Sequence, residues 1–235
     1  MKIKSLFTAT SIAASIFSAN VLAQDLEITI HNLTQGMTYT PFIVAAHDAN
    51  TRLFTLGEQA SAELKSMAEG GDISGLSTVL TAGNANIVEN PANGPLAPAM
   101  SATTMLMTDN NNMYLSLAAM LLPTNDGFAA LNSWKIPQEA GTYTVYVNAY
   151  DAGTEANNEL VSADGGAALG IPAAPFVVAT TGTNGTGVTT EESNAYVHVH
   201  RGAIGDDDDM GGKSDLDNTV HRWLNPVAKV TVTVK

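Results

Sequence analysis

The sequence predicts an all-β fold, an antiparallel β-sandwich of about eight strands with one or two short helices on a connection. Three observations predict it. Residues 143–149 alternate strictly, with Val145, Val147 and Ala149 on one face and Thr144, Tyr146 and Asn148 on the other, which is the period-two pattern of a half-buried strand. The same alternation recurs near both ends of the chain, at Leu26, Ile28 and Ile30 and in the valine–threonine run 227–234. Between such stretches stand short turns rich in Asn, Asp, Gly and Pro rather than long helical repeats, and that arrangement is characteristic of sandwiches.

The N-terminus reads as an export signal. Lys2 and Lys4 precede an apolar stretch at 6–17, and Val21-Leu22-Ala23 is a small-residue cleavage site, so residues 1–23 are expected to be removed and the mature chain to begin at Gln24. Thr8, Thr10, Ser11 and Ser15 interrupt the apolar stretch, which falls short of the roughly 20 residues of a membrane span. Residues 24–235 are then one exported domain, bound for the periplasm or the medium. The formal charge of −13 becomes −15 once Lys2 and Lys4 are lost, and so acidic a surface repels phosphate backbones and excludes nucleic acid as a partner. With no cysteine in the chain, disulfides, thiolate metal sites, a lipidated cysteine and a cysteine nucleophile are all excluded.

In chain order, strands are expected at 26–31 and 39–46. A helix follows at 57–69, where Ala60, Leu64 and Met67 are spaced by four and three, Glu58 favours the N-terminus, and Gly70-Gly71 offers a left-handed stop. Asp72 is placed to cap a further short helix through residue 81. Residues 83–100, with Asn90-Pro91 and Gly94-Pro95, read as a loop. Strands resume at 103–107, 113–121, 128–136 and 143–149, the first two separated by the turn composition of residues 109–112. Residues 156–170 read as a small, polar excursion outside the core, 175–179 as a returning strand, and 180–190 as a mobile Thr/Gly segment. A strand at 195–200 is expected to turn Val197 and Val199 inward and Tyr196, His198 and His200 to the other face, before the last strand at 227–234.

If the three strands from 113 to 149 form a meander, the loop carrying Asp126 and the loop carrying Asp151 and Glu155 emerge at the same end. Two carboxylates four residues apart around Gly153 can curl onto one point, and carboxylate and carbonyl oxygens are what a hard cation such as calcium requires.

Four stretches in order resemble the spondin N-terminal domain, known from the matrix protein F-spondin and from bacterial secreted proteins. AAHDANTRLFTLGEQASAELKSMAEGG at 45–71 looks like its histidine-to-helix segment, and AAMLLPTNDGFAAL at 118–131 like its strand with a Pro-x-x-Asp loop. YDAGTE at 150–155 is similar to its Asp-Ala-Gly-Thr-Asp motif, and WLNPVAKVTV at 223–232 closes the chain as the family does. The resemblance implies an antiparallel sandwich with a calcium ion (Ca2+) at one end, held here by Asp126, Asp151 and Glu155. Glu155 stands where the family carries aspartate, and the cysteines of animal members are missing.

Two other clusters compete as cation sites. Asp206-Asp207-Asp208-Asp209, with Asp215 and Asp217, is the most acidic stretch, but a like-charge run in a Gly-rich loop ordinarily stays solvated, and its spacing is not that of an EF-hand. His198 and His200 project to one face of a strand, as a copper or zinc site requires, yet only His31, His47 and His221 remain to complete one. There is no Gly-x-Ser-x-Gly, phosphate loop or His-Glu-x-x-His. The expectation is a non-enzymatic, calcium-binding module that recognises a protein or glycan at the cell envelope or in extracellular matrix. The alternatives are an envelope hydrolase or His-x-His redox protein, and a structural component of matrix or biofilm.

Overall fold

The computed structural model describes residues 23–109, 111–163, 169–174, 176–178, 181–189, 191 and 194–235. The expected export signal, apart from Ala23, lies outside the described residues. The chain opens with β1 (Asp25–Asn32), in which Leu26, Ile28 and Ile30 are buried. Where one strand was expected at 39–46 there are two, β2 (Thr38–Tyr39) and β3 (Ile43–His47). They separate around Pro41, which has no N–H to give to a ladder.

Helix α1 (Ala62–Gly70) starts later than its apolar spacing predicts. Gly57 N–H and Glu58 C=O bond to Val197 C=O and N–H at 2.8 Å each, so this backbone is already paired and the helix begins after it. Ser61 supplies the cap, accepting from Leu64 N–H at 3.1 Å, and Gly71 ends the helix at φ 72°. Asp72 Oδ1 accepts from Ser74 N–H at the entry to α2 (Ser74–Ala82). Inside the expected loop at 83–100 lies a short strand, β4 (Asn86–Glu89), paired to β3. Then follow β5 (Ser101–Met107), β6 (Tyr114–Leu122), β7 (Gly127–Lys135), β8 (Gly141–Asp151), β9 (His198–Val199) and β10 (Ala228–Val234).

These ten strands, among the described residues, are antiparallel and run in the order β4-β3-β6-β7-β8-β10-β1-β5, with β2 on β6 and β9 on β8. The sheet curls until its end strands β4 and β5 approach each other, folding over one core in a nearly barrel-shaped form of the all-β class. That core joins Ile28 and Ile30 to Val230 and Val232, and to Val44, Leu117 and Ala119 from the opposite half. The alternate residues of β3, β6 and β7, including Ile43, Ala118, Met120 and Phe128, face outward yet are also buried, against Leu64 and Met67 of α1 and Leu76 and Leu80 of α2. Burial on both faces explains the unbroken apolar run Leu117–Leu122 in β6.

The long excursion after β8 is not outside a core. Val161, Ile171, Val178 and Leu216 form a third buried cluster. Phe176–Val178 form a turn rather than a strand, and Pro175 and Ala179 lie outside the described residues. The Thr/Gly segment, described over 181–189, is tied down by Asp215, whose Oδ1 accepts from Thr183 N–H at 2.8 Å and Gly185 N–H at 3.0 Å. Val199 is 51% exposed, whereas His200 is buried. The expected inward alternation therefore holds at Val197 and fails beyond it, because β9 pairs with β8 for two residues only, and that pairing sets His198 opposite Asp151.

Candidate metal centre

The antiparallel pairing of β7 with β8 puts Gly127 opposite Asp151. Thr124 closes the preceding turn, its hydroxyl donating to Leu121 C=O at 2.6 Å and accepting from Gly127 N–H at 3.0 Å. This turn carries Asp126 inward to 0% exposure. Asp126 Oδ2 accepts from Thr154 N–H at 2.7 Å, Thr154 hydroxyl at 3.2 Å and Glu155 N–H at 3.2 Å, so one carboxylate oxygen shapes the loop that leaves β8. Asp151 Oδ1 accepts from Gly153 N–H at 2.8 Å, and its Oδ2 from Asn157 Nδ2 at 2.6 Å. Gly153 has φ +68°, and a Cβ there would lie 2.6 Å from Tyr196 N; the turn therefore demands glycine.

Burial, and then the neighbouring Asp151, push the Asp126 carboxyl up to about 7. Two carboxylates share a poorly hydrated space, where like charges are costly. Glu155 is reached through its backbone, while its side chain turns elsewhere: Oε2 accepts from Gly170 N–H at 2.9 Å and lies 3.5 Å from Asn125 Nδ2. Burial raises its pKa, with Glu69 of α1 adding to the rise. Asp126 Oδ1 and Glu155 Oε1 are both buried without a hydrogen-bond partner, and such oxygens call for a proton or a cation.

The histidine pair meets this site rather than forming its own. His198 Nε2 stands 3.8 Å and His200 Nε2 3.9 Å from Asp151 Oδ2. His198 Nδ1 bonds to Tyr196 C=O at 2.8 Å and so carries a proton, which leaves Nε2 bare in the neutral ring. His200 is the opposite tautomer: Nδ1 accepts from Gly202 N–H at 2.9 Å, so its neutral ring carries the proton on a buried, unpaired Nε2. Burial lowers the His200 pKa to about 4, against the pull of Asp151. One bare and one protonated nitrogen do not make a matched pair of metal ligands; His200 is a donor aimed toward Asp151.

The acidic stretch divides by role. Asp215 is buried and also takes Val161 N–H on Oδ2 at 2.7 Å. Asp206 accepts from Lys213 N–H at 2.7 Å and Ser214 N–H at 2.8 Å, and those bonds hold its carboxyl below the usual range. Asp207, Asp208 and Asp209 are exposed. Among the described residues no group of three or more Asp, Glu or His side chains is close enough to hold a metal by itself. Asn125 and Asn157 escaped the sequence reading, although they sit one and two residues from Asp126 and Glu155, where loop amides are natural partners for carboxylates. His198 and His200 were candidates of their own, and their place beside Asp151 had no signal in the sequence.

Residues 31–167 match the family model described as Spondin_N. The matched region includes Asp126, Asp151 and Glu155 but neither the histidine pair nor the acidic stretch. No curated protein matches the chain, and no helix among the described residues is long and apolar enough to cross a membrane. The match covers more than half of the chain and both loops of the buried carboxylates, and the chain belongs to the spondin N-terminal domain family.

Proposed function

We propose that this chain is an exported, non-enzymatic binding module for a protein or glycan at the cell envelope or in the extracellular matrix, and that Asp126, Asp151 and Glu155 hold a calcium ion at its loop end. The observation that carries this reading is the adjacent buried pair Asp126 and Asp151, with Asp126 Oδ1 and Glu155 Oε1 lacking partners. The donor chemistry suits a hard cation: Asp126 and Asp151 would supply two carboxylates, Glu155 would join them by turning its side chain from Gly170, and calcium would draw the rest of its six to eight ligands from carbonyl and amide oxygens and water. Bound calcium supplies the positive charge that lets both aspartates stay ionised. Asp126 Oδ2 keeps its grip on the Thr154–Glu155 backbone, and Asp151 holds Gly153 and Asn157, so the loops around the site form one surface. Carboxylates turned inward and occupied by backbone donors support a recognition role over turnover of a soluble substrate.

The test is thermal unfolding of the mature protein during a calcium titration. The melting temperature should rise at calcium concentrations of roughly 10⁻⁴ to 10⁻³ M, typical of extracellular modules, and magnesium should act more weakly. Asp151→Asn should remove most of the response. An undiminished response in that variant and in Asp126→Asn would overturn the assignment.

A further inference from the structure

A cavity of about 630 Å³ between the residues that follow β9 and those that precede β10 is lined by Arg201, Ala203, Ile204, Arg222, Trp223 and Leu224. It gathers two of the three arginines in a chain of formal charge −13, and no acidic residue lines it. Each guanidinium is tethered to backbone rather than neutralised. Arg201 Nη2 donates to Asn157 C=O at 2.8 Å, and Arg222 Nε donates to Ile204 C=O at 2.7 Å. Among the described residues neither has a carboxylate within 4.0 Å. A guanidinium presents five N–H donors in a planar fork suited to carboxylate oxygens, and the tethers account for one on each. The rim is apolar: Ile204 is 44% and Leu224 85% exposed.

We propose that this cavity docks an acidic peptide segment of a partner protein, with a carboxylate on Arg201 and Arg222 and an apolar neighbour against Ile204 and Leu224. Charge complementarity selects the acidic group, because the charged side chains that line the cavity are Arg201 and Arg222, while the Glu159 carboxylate behind Ile204 is taken up by the Ile204 and Gly205 N–H groups. The apolar rim selects a peptide over a free anion, which gains nothing from leucine and isoleucine. A sugar ring is disfavoured because the aromatic side chain here, Trp223, is 8% exposed and offers no open face to stack on. The cavity is also joined to the carboxylate site. Asn157 gives its side-chain N–H to Asp151 and its carbonyl to Arg201, and the His200 and Trp223 rings lie 5.0 Å apart. The proposal rests on the chain being a binding module, and not on calcium.

The experiment follows fluorescence anisotropy of a labelled Leu-Asp-Glu-Leu-Asp-Glu-Leu peptide, and of its Asn/Gln counterpart, against the mature protein in calcium chloride and in EDTA. The acidic peptide should bind and the amide peptide should not. Arg222→Gln, the Arg201→Gln/Arg222→Gln pair and Leu224→Ser should each weaken binding by about tenfold or more, which corresponds to about 1.4 kcal/mol. Leu224 is exposed enough that its replacement leaves folding intact, so the test survives an unstable arginine variant. Equal binding of both peptides, unchanged binding in Arg222→Gln and Leu224→Ser, or binding of oligogalacturonate with none of peptide would each overturn the proposal. Peptide binding without any calcium response defeats the calcium reading alone, and a calcium response without peptide binding defeats the docking site alone.

Discussion

At Asp126 a side chain with no exposure carries three donors on one oxygen and none on the other. Its folded pKa of about 7 lies above the ordinary 3.8, so the folded state binds the proton more tightly than the unfolded chain does. The contribution to stability is therefore complete below about pH 4 and is lost as pH rises through about 7. In EDTA the melting temperature of the wild type relative to Asp126→Asn should fall across that window, a comparison that cancels the opposite slope of His200, whose lowered pKa makes stability rise with pH over the same range. The asparagine oxygen can keep the backbone donors while its N–H₂ takes the place of the unpaired oxygen, so at pH 8 without calcium the variant should melt higher than wild type. With calcium the order should reverse, because the variant lacks the ligand. A difference between the two melting temperatures that stays constant from about pH 4 to 7 in EDTA would contradict the raised pKa.

At the scale of elements, β8 separates packing from surface residue by residue. Val147 is buried in the barrel core and Tyr146 beside it is exposed. Val147→Asp places an unpaired carboxylate in that core and should leave the domain unfolded in circular dichroism with or without calcium, while Tyr146→Ser should change stability by less than about 0.5 kcal/mol. The loops after β8 make a similar distinction within one acidic stretch. Asp215 satisfies Val161, Thr183 and Gly185 N–H groups, and orphaning buried donors costs about 1–3 kcal/mol. Urea denaturation should show a loss of that order for Asp215→Ala and almost none for Asp207→Asn, whose exposed carboxylate is screened by solvent.

For the whole molecule, the loop end links β7, β8 and β9, and β8 is continuous with β10 and β1 through the ladder. Calcium binding at that end should therefore raise a single cooperative calorimetric transition rather than a separate loop transition. The exported form is expected to begin at Gln24. Gln24 N–H bonds to Thr108 hydroxyl at 3.0 Å and its side chain to Pro137 C=O at 2.9 Å, so cleavage there keeps both contacts. Intact mass of protein recovered from the periplasm or medium checks this, and a mass that retains residues 1–23 would contradict it.

The sequence by itself determined the all-β class, most strands, and the shared end of the Asp126 and Asp151 loops. Each of these follows from period-two burial or from the short turns of the β6-β7-β8 meander, and such effects act within about one strand of their cause. Only tertiary structure decided that Asn86–Glu89 pairs as a strand, that helix α1 waits until Ser61, that the long excursion buries Val161 and Ile171, and that His198 and His200 come to Asp151. It also decided that the Glu155 side chain faces Gly170, and that Arg201 and Arg222, well apart in sequence, line one cavity. The physical reason is the same throughout. A residue's own alternation states which face it occupies, whereas its partner is set by where a distant segment returns, and that depends on the closure of the whole sheet over its core.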